Sequence, residues 1–315
     1  MTSPNPFLFV VGCPRSGTTL LERILNAHPK LAIIHETHWI TSFYKKKTGI
    51  SKKGRITPEF IDLLADHHRF HLLDMTRADL QSILDEKPKI SYEKFITRIF
   101  DHFGAKRNKT LVGDKTTGAS LRNLPLLHQL WPAAKLIHLI RDGRDVMLSM
   151  LSWPKAARAA GRFDLWKENP VATTALWWNW QVGLALNEGR TIGPQNCHEL
   201  RFENLVGNPA PTLQTLCSYL NLPYTEDLLQ FNKEKKSTDA SLSANQAWLA
   251  PTPGLRNWRT QLPPEHIELF EALAGDLLTT LNYERNYPTI SPKIKDQAQQ
   301  YQSWWQTHGP QTLVT

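Results

Sequence analysis

The chain has 315 residues, 41% of them hydrophobic and 21% charged, with a net charge of +8. This is globular composition with enough apolar material for a sizeable core, and it excludes disordered and collagen-like classes. The positive balance suits a polyanionic partner, but Lys45-Lys46-Lys47 and Lys52-Lys53 are the nearest approach to a basic run and read as solvated loop, not as a nucleic-acid patch.

Phe7–Val11 is a short apolar run of the kind that forms a strand buried on both faces. The loop Gly12-Cys13-Pro14-Arg15-Ser16-Gly17-Thr18-Thr19 follows, and a helical pattern (Leu20, Leu21, Ile24, Leu25) runs from about residue 18 to 28. Gly12 and Gly17 fit the phosphate-loop spacing Gly-x-x-x-x-Gly-Lys-Ser/Thr, and strand, loop and helix come in the order that makes such a match credible. The lysine position holds Thr18. The backbone cradle for a phosphate is kept and the cation that a nucleoside triphosphatase uses is dropped, which predicts a nucleotide donor and argues against ordinary ATP or GTP hydrolysis. The helix N-terminus offers unpaired N–H groups and the positive end of a dipole to an anion. Ser16, Thr18 and Thr19 add hydroxyls, and Arg15 adds a guanidinium fork.

Leu31–Ile34 reads as a second strand ending at His35-Glu36. A helical insert spans about 45–105, with a start signature at Thr57-Pro58-Glu59. Asp62, Asp66, His67 and His71 have helical spacing that fits either a metal or a solvated face, and the lack of a second ligand pair favours the face. Thr110–Gly113 is a third strand leading to Asp114-Lys115-Thr116-Thr117. A helix over 121–130 precedes a fourth strand, Lys135–Ile140. That strand enters Arg141-Asp142-Gly143-Arg144-Asp145, and a helix follows to Leu151. Residues 171–188 form an apolar helix whose Trp177, Trp178 and Trp180 read as core. A fifth strand covers 198–202 and helix most of 203–220. Residues 232–262 read as loop-rich, 264–281 as an amphipathic helix, and the tail from Tyr287 as polar. The expected fold class is α/β, a mostly parallel sheet with helices on both faces, in a single domain over 1–285 with a tail at 286–315. Ligands then sit at the carboxyl ends of the strands, where Arg15, Glu36, Lys115 and Arg141 fall.

Three cysteines, Cys13, Cys197 and Cys217, match no zinc spacing and suit a reducing compartment. No stretch reaches the ~18 apolar residues of a membrane span, and Met1–Pro6 lacks the charged start of a secretory leader, so a cytoplasmic protein without a membrane span is expected.

Pro14-Arg15-Ser16-Gly17-Thr18-Thr19-Leu20, Asn26-Ala27-His28-Pro29 and His35-Glu36-Thr37 together resemble the sulfotransferases that use 3′-phosphoadenosine-5′-phosphosulfate (PAPS). The likeness is to the protein-tyrosine sulfotransferases and their bacterial relatives rather than to the cytosolic phenol and steroid enzymes. It extends over about 7–40, 110–150, 198–221 and 250–282. The resemblance implies a phosphate-loop-like sulfotransferase fold with a helical insert, and a sulfuryl transfer from PAPS to a hydroxyl acceptor that needs no metal. It implies Glu36 as general base, with His35 and His38 as the flanking alternatives. Arg15 and Lys115 become the cations at the transferred group, and Lys115 supplies the charge that Thr18 lacks. Arg15, Ser16, Gly17, Thr18 and Thr19 hold the 5′-phosphosulfate. Arg141 and Ser149 hold the 3′-phosphate, and Arg256, in Gly254-Leu255-Arg256-Asn257-Trp258-Arg259, closes over it. Asp142 then orients Arg141 or Arg144. Two other readings remain at this point: a phosphate-loop kinase with Asp142 on magnesium, and a nucleotide-binding module without catalysis. The acceptor, whether small alcohol, lipid, sugar or protein tyrosine, is not specified by these residues.

Overall fold

A computed structural model describes residues 5–118, 120–153, 164–232, 253–254 and 256–309. Most of the expected loop-rich segment 232–262, and the last six residues of the tail, lie outside the described residues.

Five strands form one sheet: β1 (Leu8–Gly12), β2 (Leu31–His35), β3 (Leu111–Lys115), β4 (Lys135–Ile140) and β5 (Cys197–Arg201), in the order β2-β3-β1-β4-β5. β1 pairs in parallel with β3 and with β4, and β2 pairs in parallel with β3. Side chains along a strand alternate between faces, yet every residue of β1 is buried, so both faces of the sheet are covered at its centre. That is why Leu8–Val11 is continuously apolar rather than alternating. The strand order changes direction at β1, the kind of position where open α/β sheets bind ligands.

The chain groups into two compact units. The first comprises residues 1–12, 17–139 and 187–251, and the second residues 13–16, 140–186 and 252–315. In the first, the helix α1 (Thr18–Ala27) lays Leu21, Ile24 and Leu25 against Leu8, Val10, Leu31 and Ile33. Each such leucine or isoleucine contributes about 1.5–3 kcal/mol of burial. The insert consists mainly of the helices Pro58–Ala65, Arg77–Glu86 and Tyr92–Ala105. Phe60 meets the rings of Tyr92 and Phe95 edge-on, at 5.6 and 5.8 Å. The Tyr92 hydroxyl donates to the Ile40 carbonyl at 2.6 Å, which ties the insert to the helix Trp39–Lys46 that follows β2. Asp62 and Asp66 are exposed and paired with Arg77, as a solvated face would be.

In the second unit, Trp177 and Trp178 are buried in the core on the helix Pro170–Ile192, and Trp178 lies 5.8 Å from Phe270. The helix Gly143–Leu151 begins with glycine because a Cβ there would come within 2.5 Å of both Trp178 and Phe270. Glu271, fully buried, accepts from Arg144 at 2.6 Å and from the N–H groups of Asn286 and Tyr287 at 3.0 and 2.9 Å. It thereby fixes the turn into the helix Pro292–His308, an element that the polar tail did not reveal. Among the described residues no helix is long and apolar enough to cross a membrane.

Candidate active site

The glycine loop is shaped by two positions that tolerate nothing larger. Gly17 caps α1 with φ 95°, and a Cβ on it would lie 2.4 Å from the Phe202 ring. A Cβ on Gly12 would lie 2.8 Å from the Leu139 carbonyl. Between them the Ser16 N–H donates to the Cys13 carbonyl at 3.1 Å, and Arg15 takes the left-handed φ of 75°. No side chain caps α1, so its first N–H groups stay available. The Ser16 hydroxyl is fully buried with no hydrogen-bond partner among the described residues. A buried orphan hydroxyl is costly unless something accepts from it or donates to it, and an anion's oxygen at this helix start would do so.

The first unit gathers a second cluster at the carboxyl ends of β2 and β3. Lys115 is the last residue of β3 rather than part of the loop after it, because the ladder runs on: His35 pairs with Lys115, and the Glu36 N–H donates to the Lys115 carbonyl at 2.7 Å. The Lys115 side chain is wholly buried. Its ammonium lies 2.8 Å from Glu36, 3.3 Å from Glu22 and 3.4 Å from the Thr19 hydroxyl. Glu36 also pairs with Arg69 at 3.1 Å and with His38 at 3.3 Å. Burial alone would raise the Glu36 carboxyl. The hydrogen bond from His38, with the charge and hydrogen bond of Lys115, outweighs burial and holds it well below the usual carboxylate range. His35 is turned to Glu22, at 2.8 Å. Both imidazoles that flank Glu36 in sequence are thus bonded to carboxylates.

The second unit brings Arg15, assigned to the 5′-phosphosulfate, together with residues assigned to the 3′-phosphate. The Arg15 Nε donates to the Ser149 hydroxyl at 3.0 Å, and its guanidinium stands 5.0 Å from the centre of the Trp153 ring. Arg141, almost fully buried, contacts Asp145 at 3.4 Å and the Arg15 carbonyl at 3.5 Å, and its own carbonyl accepts from the Trp178 indole at 3.2 Å. Asp145 accepts in addition from the Trp258 N–H at 3.0 Å. Burial pushes its carboxyl up, against the pull of Arg141. Arg256 donates to the Ser152 hydroxyl at 2.9 Å, one residue before the described helix Trp258–Gln261 is capped by Asn257. Asp142 caps the helix at Gly143 and grips Arg144 at 2.8 Å.

Of the residues singled out by sequence, Glu36, Lys115 and Thr19 come together in the first unit, and Arg15, Arg141 and Ser149 in the second. Four partners were not anticipated: Glu22, Arg69, Asp114 and Asp145. Glu22 carried a signal, since it is an acid on the apolar side of α1 beside Leu21 and Leu25. Arg69 carried none, because its contact spans an insert whose path the sequence does not fix. Among the described residues no group of three or more His, Cys, Asp or Glu side chains is placed to hold a metal.

The profile of the sulfotransferase family matches residues 6–226. Protein-tyrosine sulfotransferase A of Caenorhabditis elegans is 24% identical over 288 residues, covering 90% of this chain and 68% of that protein. Protein-tyrosine sulfotransferase 1 of Danio rerio is 25% identical over 314 residues, covering 94% and 79%. The same fold occurs in the sulfotransferase domain of the Synechococcus PCC 7002 olefin synthase, with a TM-score of 0.60 at 23% identity over 90% of this chain and 97% of that one. The sulfotransferase domain from the curacin biosynthetic pathway gives a TM-score of 0.57 at 20% identity over 89% and 98%. The chain belongs to the sulfotransferase family, enzymes that carry a sulfuryl group from a donor to an acceptor.

Proposed function

We propose that this chain transfers the sulfuryl group of PAPS to a hydroxyl acceptor by in-line displacement, with Glu36 as general base. The observation that carries the reading is the Lys115–Glu36 pair, a buried ammonium 2.8 Å from a carboxylate at the ends of adjacent strands. Sulfuryl transfer resembles phosphoryl transfer in needing position and charge more than covalent help. Glu36 takes the acceptor proton as the new O–S bond forms. Lys115 stabilises the negative charge left on the oxygen between sulfur and phosphorus as the old bond breaks, a part that the family resemblance also gives to Arg15. One ammonium serves both ends of the reaction: drawn toward the departing oxygen, Lys115 leaves Glu36 a stronger base than it is in the resting pair. The loop from Arg15 to Thr19, with the orphan Ser16 hydroxyl, fits the 5′-phosphosulfate. Arg141, Ser149 and Arg256 fit a second phosphate, which a donor with only a 5′ chain would not require.

The acceptor is a hydroxyl, and the tyrosyl phenol named by the two curated relatives is the first to test. The assay uses labelled PAPS with pooled phenols, alcohols, sugars and a tyrosyl peptide, with a chelator present and ATP absent. Label transfer under those conditions supports the proposal. Group transfer that requires ATP and magnesium overturns it.

A further inference from the structure

Asp114 sits between two candidate catalytic features and belongs to neither. It lies in β3 next to Lys115, is wholly buried, and has no cation on its carboxylate among the described residues. Its partners are the Thr37 N–H at 3.3 Å, the Thr37 hydroxyl at 3.2 Å and the Thr116 hydroxyl, and the two hydroxyls lie 3.4 Å apart. Thr37 is the middle residue of an unusual turn. Glu36 before it has φ 47° and His38 after it has φ 52°, both left-handed and neither glycine. Side chains disfavour that region, and such a conformation persists only where the surroundings enforce it. The first residue of the turn hydrogen-bonds to β3 through its own N–H, and the helix Trp39–Lys46 follows the last. The middle residue is held by Asp114, which accepts from both its N–H and its hydroxyl, with the Thr116 hydroxyl as the other side-chain partner described.

We propose that Asp114 and Thr37 form a clamp that positions Glu36, so that Asp114 is a positioning residue for the transfer reaction. β3 delivers Lys115 on one face, and from the other face Asp114 fixes the turn that aims the Glu36 carboxylate at it. One strand end thereby sets both partners of the pair. This rests on the reading of Glu36 as base. A carboxylate displaced by about an ångström loses on the order of 10²-fold in rate, while donor binding by the glycine loop is untouched.

The test compares Asp114→Ala, Asp114→Asn, Thr37→Val and Thr37→Ser with the parent enzyme. Turnover is read with PAPS and a transferring acceptor, and donor-site affinity with adenosine 3′,5′-bisphosphate. Asp114→Asn keeps an acceptor for the Thr37 N–H and turns an amide toward the two hydroxyls, so it is expected within about 3-fold of the parent. Thr37→Ser keeps the hydroxyl and is expected to behave likewise. Asp114→Ala and Thr37→Val are expected to lower kcat by about 10-fold or more with bisphosphate affinity changed less than about 2-fold. Should Asp114→Ala not fold, Thr37→Val and Thr37→Ser carry the same comparison. Full turnover in both Asp114→Ala and Thr37→Val overturns the clamp, as does an equal loss in the disruptive and the conservative variants. Glu36→Gln in the same assay separates the two levels. Its full activity removes the base itself, whereas its inactivity beside an active Thr37→Val removes only the clamp.

Discussion

Glu36→Gln tests the chemistry with the least disturbance of shape. The amide keeps an oxygen for Lys115 but loses the charge and the ability to take up a proton. A positioned general base contributes about 10²–10⁴-fold, so kcat should fall by about 3–5 kcal/mol worth of barrier. The structure also sets the stability cost. Removing one partner from a buried ion pair costs about 3–5 kcal/mol when it leaves a bare charge. Here Glu22 stays 3.3 Å from the Lys115 ammonium. With one of two carboxylates retained and the amide oxygen still accepting, about 1–2 kcal/mol is expected. The assay measures initial rates with labelled PAPS and the best acceptor from the pooled screen, beside bisphosphate binding and thermal unfolding. Near-parental turnover refutes Glu36 as base. A matching loss of bisphosphate affinity refutes it in another way, by making Glu36 a donor ligand.

Lys115→Ala leaves Glu22 and Glu36 facing each other without the ammonium between them, although Arg69, His38 and His35 still partner them. It should reduce turnover by about 10²-fold or more and raise the midpoint of the Glu36 titration toward the ordinary carboxylate range. An unchanged rate would demote Lys115 to a structural cation. Arg141→Ala should weaken adenosine 3′,5′-bisphosphate binding by about 10- to 100-fold, the worth of one charged hydrogen-bonding group, and weaken the 3′-dephosphorylated analogue much less. Equal losses for the two ligands would remove the clamp assignment. The pH dependence of stability offers a prediction about Asp114. Burial pushes its carboxyl up to about 6 against the hydrogen bonds of Thr116 and Thr37 and the charge of His38. A raised carboxyl holds its proton more tightly folded than unfolded, so stability is lost as pH rises from about 4 to about 6. Asp114→Asn should flatten that decline in thermal unfolding, and an identical slope in both proteins would contradict it. Glu36 has the opposite sign, since its depressed carboxyl contributes stability above the ordinary value of 4.5 that is lost as pH falls below it.

Much of the fold was legible because buried parallel strands leave a strong trace. Phe7–Val11 and Lys135–Ile140 are largely apolar runs with turn residues at their ends, and each lies within one residue of its strand. The helix predicted over 203–220 is in fact two, Phe202–Gly207 and Pro209–Tyr219, because Pro209 cannot donate its N–H within a continuous helix. The helix Pro292–His308 was missed because few of its residues are apolar, and only Ile294 and Ala298 are buried. At the site, Arg15 from the glycine loop and Arg141 and Ser149 from the second motif stood out by their motifs, and the structure brings them into contact. Arg69 was not legible, since a contact between an insert and a strand end has no local pattern, whereas Glu22 showed as an acid on the apolar side of α1 without showing its partner. Asp114 was visible as a residue, but the left-handed turn that it holds was not, because nothing in Glu36-Thr37-His38 announces positive φ.

The threonine at position 18 finds its physical explanation in β3. A lysine on the glycine loop would carry its ammonium on a flexible stem and would have to be ordered as the donor binds. Lys115 has already met that cost. Its stem is buried in the sheet, and two carboxylates and the Thr19 hydroxyl hold its ammonium within 3.4 Å. A charge ordered before the reaction needs no reorganisation when negative charge develops, and this is where electrostatic stabilisation is worth most. The two carboxylates also limit the residue. They compensate the ammonium in the resting protein, so its full charge is available only if one of them gives way. Glu36 is the one able to do so, since Arg69 and His38 hold it from other directions, whereas Glu22 has His35 as its other close partner. On the proposed reading of Glu36 as base, threonine at position 18 goes with a cation in β3 whose release is tied to that carboxylate.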